Sequence, residues 1–260
     1  MANQAFLIKT SKEKSEELFE ANNTIPLFWL TLLDADIIKK FGQKIIDHYN
    51  NYYNNDNNSE DDEREAEGVN IKIPKQTFLK NANEGKRFIE ENYKDKISLF
   101  NDFVKYLNDK FDETDILELN ITEIGNFNGI ENLVNDIKNI TANIKRNVNK
   151  IRPFEPDSTI FSFVGYDDFF ANDFRNYSKD YLEYCLNEEK ERELRNKKLA
   201  KQQSKEKRKE KFKNIFMCVG GIACIAISIL TIISGSYFLG IVVLLFGGIA
   251  LLFGVLNLKG

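Results

Sequence analysis

Two long, uncharged apolar runs near the end of the sequence constrain its fold more than any other feature. Residues 215–234 and 237–256 are each 20 residues long and contain no Asp, Glu, Lys or Arg. A helix of that length rises about 30 Å, which matches the hydrocarbon core of a bilayer. The alternative, a pair of core helices in a soluble domain, would need further chain to surround both helices on all sides. We therefore predict two transmembrane helices.

The connection between the two runs is Gly235-Ser236, which is long enough only for a tight turn. The helices are therefore predicted to form an antiparallel hairpin with both ends on one side of the membrane. Small residues recur along each run, and such residues let membrane helices approach closely, although glycine is also common in membrane helices in general. The predicted packing residues are Gly220, Cys224 and Ser228 in the first run and Gly240, Gly247 and Gly254 in the second.

A strongly basic segment precedes the hairpin. Residues 190–213 contain 12 Lys and Arg against 4 Asp and Glu, with no Pro or Gly, and are rich in good helix formers. Positive charge beside a membrane span stays in the cytoplasm. We predict a helical neck over residues 187–213 that lies against anionic headgroups near its membrane end. The protein is then a multi-pass protein of the cell membrane, with its N-terminal domain and its C-terminus in the cytoplasm. A nucleic-acid-binding tail is the alternative for this segment.

The remainder of the chain is acidic. Residues 1–189 hold 23 Lys and Arg against 36 Asp and Glu, a balance of −13. This charge disfavours a nucleic-acid-binding surface, because phosphate contacts require an excess of Lys and Arg. It attracts basic proteins over long range instead. The predicted partners are therefore the lipid bilayer and a basic protein, and not nucleic acid.

Apolar periodicity predicts a helix-rich α+β or α/β domain over residues 1–186, with about four short strands. Three regions follow: this acidic domain, the neck at 187–213 and the hairpin region at 214–260. The predicted strands are residues 2–9, 69–73, 117–121 and 160–164. The predicted helices begin at Pro26 and Asp34, cover 100–111 and 130–148, and run from Asn172 into the neck.

No catalytic, cofactor or metal site is predicted. The sequence lacks the glycine-rich phosphate-binding motifs and the nucleophile elbow of acyl-transfer enzymes. His48, the single histidine, lies at the polar end of a predicted helix, and Cys185 lies on the apolar face of another. Residues 56–67 imitate the spacing of a calcium loop, but Asp61 stands where the sharp turn needs glycine.

Two acidic features remain as candidates. The polar stretch of residues 50–68 predicts a loop, and four of its carboxylates form a candidate binding surface: Glu60, Asp61, Asp62 and Glu63. The pair Asp167-Asp168 follows a predicted strand. It either ends that strand and caps the next helix, which is the favoured interpretation, or it holds a magnesium ion for phosphodiester hydrolysis.

The opening of the sequence, MANQAFL, is followed by Ile25-Pro26-Leu27-Phe28. This resembles the start of a family of uncharacterised bacterial proteins that begin Met-Ala-Asn-Arg-x-Tyr-Leu and carry Ile-Pro before an apolar helix. Gln4 and Phe6 depart from that pattern, and the match covers only about the first 30 residues. The resemblance implies a bacterial accessory protein of the kind found beside toxin genes as an immunity factor, and it carries over no catalytic residues.

These observations predict a membrane-anchored cytosolic binding protein, such as a toxin-immunity or accessory protein, that is not an enzyme. One alternative is a membrane-perturbing defence or stress effector with a cytosolic sensor domain. It is disfavoured because only Ser228 and Thr231 offer polar groups along a helix face. The other alternative is a weak metal-dependent hydrolase that uses Asp167 and Asp168.

Overall fold

The computed structural model describes residues 3–53, 69–167 and 173–258. The chain divides into two compact units, Met1–Leu186 and Asn187–Gly260. The first unit contains a β-sheet with helices packed on it. The second contains most of a long helix and a second apolar helix. Each unit is described by itself.

The sheet of the first unit has five strands within the described residues. Every neighbouring pair is antiparallel, and the spatial order is β3-β4-β1-β2-β5. The first unit is therefore of the α+β class, and the α/β alternative is wrong. The strands are β1 (Gln4–Thr10), β2 (Ser15–Asn22), β3 (Ile71–Pro74), β4 (Ile116–Asn120) and β5 (Tyr166–Asp167).

The predicted strands near residues 2–9, 69–73 and 117–121 are confirmed as β1, β3 and β4. The prediction did not include β2, which pairs with β1 through an irregular register. Leu7 lies opposite Phe19 while Ile8 lies opposite Glu17, so Leu18 has no partner across the pair. Leu18 and Phe19 are consequently both buried. This bulge breaks the alternation of apolar and polar residues that would identify a strand.

Ten α-helices and a short 3₁₀ helix, Lys94–Lys96, lie within the described residues, and the α-helices predicted from Pro26, from Asp34, over 100–111 and over 130–148 are confirmed. The Asp34 carboxylate accepts a hydrogen bond of 2.8 Å from the backbone N–H of Ile37, as an N-cap does. The helices are α1 (Leu27–Thr31), α2 (Ala35–Tyr53), α3 (Lys75–Asn92), α4 (Ile97–Lys110), α5 (Gly125–Asn128), α6 (Ile130–Lys145), α7 (Phe161–Val164), α8 (Asp173–Tyr177), α9 (Lys179–Ile233) and α10 (Tyr237–Leu258).

The strand predicted at residues 160–164 is wrong, because these residues form α7. Gly165 ends α7 with a φ of 91°, and β5 begins at the next residue. A Cβ atom at Gly165 would lie 2.8 Å from the backbone oxygen of Glu20 and from the Trp29 ring, so this turn requires glycine. A short apolar run is compatible with a strand or with a buried helix, and periodicity alone does not separate them.

Aromatic side chains fill the core of the first unit. Phe19 of β2 packs against Phe103 and Phe174 with ring centroids 5.5 and 5.3 Å apart. The indole N–H of Trp29 donates a 2.7 Å hydrogen bond to the carbonyl of Val164, so the buried polar end of the ring is satisfied. These contacts hold α1, α4, α7 and α8 on the sheet.

The second unit begins within α9, which continues without interruption to Ile233. The neck predicted over residues 187–213 is part of this helix. The helix predicted from Asn172 is interrupted at Ser178, which separates α8 from α9. Beyond α9, a turn containing Gly235, with a φ of 91°, leads into α10, which packs antiparallel against the end of α9.

Candidate functional site

Two helices have apolar stretches that are long enough to cross a bilayer. One lies within α9, and the other covers Phe238–Asn257 in α10. Only 11% and 17% of the residues in the most apolar part of these helices are buried in the structure. Large side chains point outward, with Phe216 78% exposed and Phe238 84% exposed. Soluble proteins rarely expose continuous apolar surface of this extent.

The two apolar helices meet along a line of small residues. A Cβ atom at Gly247 would lie 2.8 Å from the Cβ of Cys224, and one at Gly254 would lie 2.6 Å from the Sγ of Cys218. At Gly240, an added Cβ would lie 3.1 Å from the backbone oxygen of Ser228. We call this contact the seam. Five of the six predicted packing residues lie on it: Cys224, Ser228, Gly240, Gly247 and Gly254.

Gly220, the sixth predicted packing residue, lies elsewhere. Nothing is found within 4 Å of a Cβ atom built at Gly220, whereas one built at Gly221 would lie 2.8 Å from the backbone nitrogen of Leu251. The seam therefore passes through Gly221, and Gly220 points away from α10. Either of two adjacent glycines fits a spacing of three or four residues, so the sequence did not distinguish them.

Polar groups in the hairpin are satisfied locally. The hydroxyls of Ser228 and Thr231 each donate a 2.7 Å hydrogen bond to the carbonyl four residues earlier in α9. At the open end of the hairpin, the Asn214 side-chain amide donates to the backbone oxygen of Asn257 at 3.1 Å. The two hydroxyls are thus used within their own helix, which does not favour a polar path along the hairpin.

The candidate carboxylate Asp167 lies at the end of β5 and is buried. One of its oxygens accepts a 3.2 Å hydrogen bond from the backbone N–H of Arg175 in α8, and the other lies 3.6 Å from the Arg175 guanidinium. Burial raises the pKa of Asp167, and the charge of Arg175 opposes that effect. Asp168 lies outside the described residues.

Tyr181 completes the surroundings of Asp167. Its hydroxyl donates a 3.0 Å hydrogen bond to the carbonyl of Gly165 and accepts a 2.9 Å bond from the backbone N–H of Asp167. The sequence does not reveal these two hydrogen bonds, because one Tyr181 hydroxyl makes both and its partners lie 14 and 16 residues earlier in the chain. The arrangement fixes the end of β5 to α8 and the start of α9. Asp167 ends β5, a strand that was not predicted, instead of the strand expected at residues 160–164.

The remaining candidate residues are the acidic stretch at 60–63, the single histidine and Cys185. Glu60, Asp61, Asp62 and Glu63 lie outside the described residues. His48 is half-buried on α2, and Cys185 is buried on α9. Across residues 3–53, 69–167 and 173–258, no group of three or more His, Cys, Asp and Glu side chains lies close enough together to hold a metal ion.

One surface that the sequence analysis missed is a polar cleft of about 540 Å³ between α6 and the segment after it. Its charged lining residues are of both signs, namely Asp136, Lys150, Arg152 and Glu155. The side-chain amide of Asn143 within it is engaged by the backbone oxygen of Lys150 at 2.8 Å. The cleft therefore presents no uniform charge toward a ligand.

No family model matches this sequence, and no curated protein and no solved structure shows significant similarity to it. The resemblance of its first residues to bacterial accessory proteins stays a prediction.

Proposed function

We propose that this protein is a membrane-anchored binding protein. In this proposal the hairpin of α9 and α10 holds the chain in the cell membrane, and the acidic first unit binds a basic protein in the cytoplasm. The observation that carries the proposal is the arrangement of the hairpin, in which glycines and Ser228 lie inside while large apolar side chains point outward. A toxin-immunity or accessory protein is one form that such a binding protein takes.

The dimensions of the hairpin support this anchor. The apolar part of each helix is about 30 Å long, as a bilayer core requires. Lipid supplies no hydrophobic drive for helix pairing, so close packing of small residues must replace it. The seam provides such packing. The positive charge of the neck supports a cytoplasmic position for both ends of the hairpin.

The charge of residues 1–189 supports binding to a basic partner, since −13 over this length steers positively charged proteins toward it. The geometry of Asp167 supports binding over hydrolysis. Both of its carboxylate oxygens face Arg175, so the carboxylate already has a protein partner of opposite charge.

The anchor is tested by expressing the full chain and extracting membranes with alkaline carbonate. The native protein should stay with the membrane fraction. An arginine in place of Ile222 and another in place of Leu245, both exposed near the middle of the apolar runs, should release it, since each costs about 2.5–3.5 kcal/mol in lipid. The matched control replaces Leu194 and Leu199 of the exposed neck with arginine and should change nothing. A native chain that is extracted without detergent contradicts the proposal.

The binding role is tested with a lysine-rich probe peptide. Reversing the charges of Glu60, Asp61, Asp62 and Glu63 together should slow association, and more strongly at low salt. Asp167→Ala is the contrasting variant, and it should leave the association rate unchanged while the unit remains folded. If instead the four reversals are silent, and the native chain hydrolyses a phosphodiester with magnesium while folded Asp167→Ala does not, the hydrolase alternative replaces binding.

A further inference from the structure

The positive charge of the neck is distributed unevenly around α9. Eighteen residues make about five turns of an α-helix, so residues 18 apart lie on the same face. By this relation Lys205, Arg208 and Lys209 share their faces with Ala223, Ala226 and Ile227. All three of those residues are exposed and point away from α10. We call Lys205, Arg208 and Lys209 the cationic face.

The two carboxylates of this part of the helix lie on the opposite side. Glu206 and Glu210 are the only acidic residues after Glu193. They lie 18 residues before Cys224 and Ser228, both of which belong to the seam. In the neck, the side of α9 that lies in line with the seam therefore carries the two glutamates, and the opposite side carries the cationic face.

The cationic face is also available to a ligand. Its three side chains are exposed. Arg195 and Lys197 of the neck form ion pairs with Glu188, Glu191 and Glu193. No ion pair among the described residues uses the cationic face. Phe212 follows on the same side of the helix and is 77% exposed, so the cations run directly into apolar surface.

The reach of the cationic face fits a lipid headgroup. Lys205 lies eight residues before Lys213, which is about 12 Å along the helix axis. The headgroup layer is about 5–8 Å thick, and charges act over a further Debye length of about 8 Å at physiological salt. Lysine and arginine stems also lie along apolar surface and place their charge toward the interface. All three cations are therefore within range of the membrane surface.

From this geometry we propose that the cationic face binds the phosphate-bearing headgroups of anionic phospholipids that surround the outward side of α9. This inference rests on the proposed membrane anchor and adds a lipid preference to it. Nucleic acid offers phosphate too, but the continuity of the cations with exposed apolar side chains favours a ligand that carries both phosphate and hydrocarbon.

The test reconstitutes the full chain into vesicles of equimolar phosphatidylcholine and phosphatidylglycerol. Spin-labelled lipids report the relative association constant of the two lipids for the protein. The native chain should prefer phosphatidylglycerol, and each lysine at the surface contributes about fivefold to that preference. The variant with Lys205→Gln and Lys209→Gln should lose most of it.

The matched control carries Lys207→Gln and Lys213→Gln, which remove the same charge from the same helix. These lysines lie 18 residues before Ile225 and Thr231, and both of those residues are only partly exposed. It should lose less of the preference than the first variant, because its two lysines lie outside the cationic face. Equal losses in both variants would mean that only net charge matters and would overturn the proposal.

Four further outcomes also decide. A native chain that inserts but shows no lipid preference would overturn this inference and leave the proposed membrane anchor standing. A chain that does not enter vesicles would overturn the proposed anchor itself. Displacement of phosphatidylglycerol by soluble glycerol phosphate would assign the face to free phosphate. Displacement by an RNA oligonucleotide at physiological salt would assign it to nucleic acid.

Discussion

The two units of this chain differ in the burial of their large apolar side chains, which lie inside the first unit and on the surface of the second. In the first unit, Phe19, Phe28 and Trp29 have no exposed surface. In the second, Phe238 and Phe246 are 84% and 70% exposed, while the residues at the contact between the helices are small. Both units contain many large apolar side chains, and they differ in where those side chains lie.

The same difference distinguishes protein cores in water from helices that pack in hydrocarbon. Water drives apolar surface inward, and the fully buried aromatic cluster of the first unit is the result. Hydrocarbon exerts no such drive, and the helices that persist in it are those whose backbones approach closely. The position of glycine relative to phenylalanine is therefore more informative about the environment than the amount of either.

The largest expected effect comes from truncating one phenylalanine in each unit. Phe28→Ala leaves a cavity beside Phe100 and should lower the free energy of unfolding of the first unit by about 3–5 kcal/mol. Phe246→Ala, at an exposed position, should leave it unchanged. Denaturant titration in mild detergent, followed by fluorescence of Trp29, the single tryptophan, measures both. Equal destabilisation by the two variants would break the contrast between the units.

The next effect sharpens the contrast inside the hairpin. Gly247→Val should separate α9 from α10, because its Cβ would lie 2.8 Å from the Cβ of Cys224, and overpacking of this kind costs about 1–3 kcal/mol. The neighbouring variant Gly248→Val is the control, since nothing lies within 4 Å of a Cβ there. Migration in SDS, where a paired hairpin runs faster than an open one, should change for the first variant only. A slow-running Gly248→Val would show that the seam is misplaced.

The smallest effect concerns the buried charge of the first unit. Burial raises the pKa of Asp167 above the 3.8 of an ordinary aspartate. Below pH 3.8 the side chain is protonated in both the folded and unfolded states and has no effect on their balance. As the pH rises from there through the folded-state pKa, the unfolded state releases its proton first, so stability is lost.

Asp167→Asn removes this ionisation while preserving the shape of the side chain. The stability of Asp167→Asn relative to the native chain should therefore increase as the pH rises above 3.8 and then level off. Denaturant midpoints at a series of pH values measure the difference. A relative stability that falls over this range would mean that the ion pair with Arg175 outweighs burial.

The sequence predicts the parts of the fold in which local periodicity and burial coincide. In β3, Ile71 and Ile73 are buried while Lys72 and Pro74 are exposed, and the strand is where the pattern places it. β2 escapes prediction because its bulge puts Leu18 and Phe19 on the buried side together. β5 has only two residues, too few to carry a period.

The same limit applies to the candidate site. A seven-residue glycine spacing places Gly240, Gly247 and Gly254 on one face of α10, and all three lie in close contact with α9. The choice between Gly220 and Gly221 depends on how α9 is rotated toward its neighbour, which is a tertiary property. The bonds from Tyr181 to Gly165 and Asp167 depend likewise on packing between elements that no sequence window contains.

The Tyr181 hydroxyl also has a mechanical consequence. It lies in the first turn of α9, a helix of 55 residues that is about 80 Å long. Tension applied along that helix is carried into the first unit at its beginning, where Tyr181 is bonded to Gly165 and Asp167. The load then passes to β5, which within the described residues is held to β2 by the two pairs Phe19 with Asp167 and Glu20 with Tyr166. Under a pulling force β5 should be the first strand to detach, and the rest of the sheet would then be relieved of the strain.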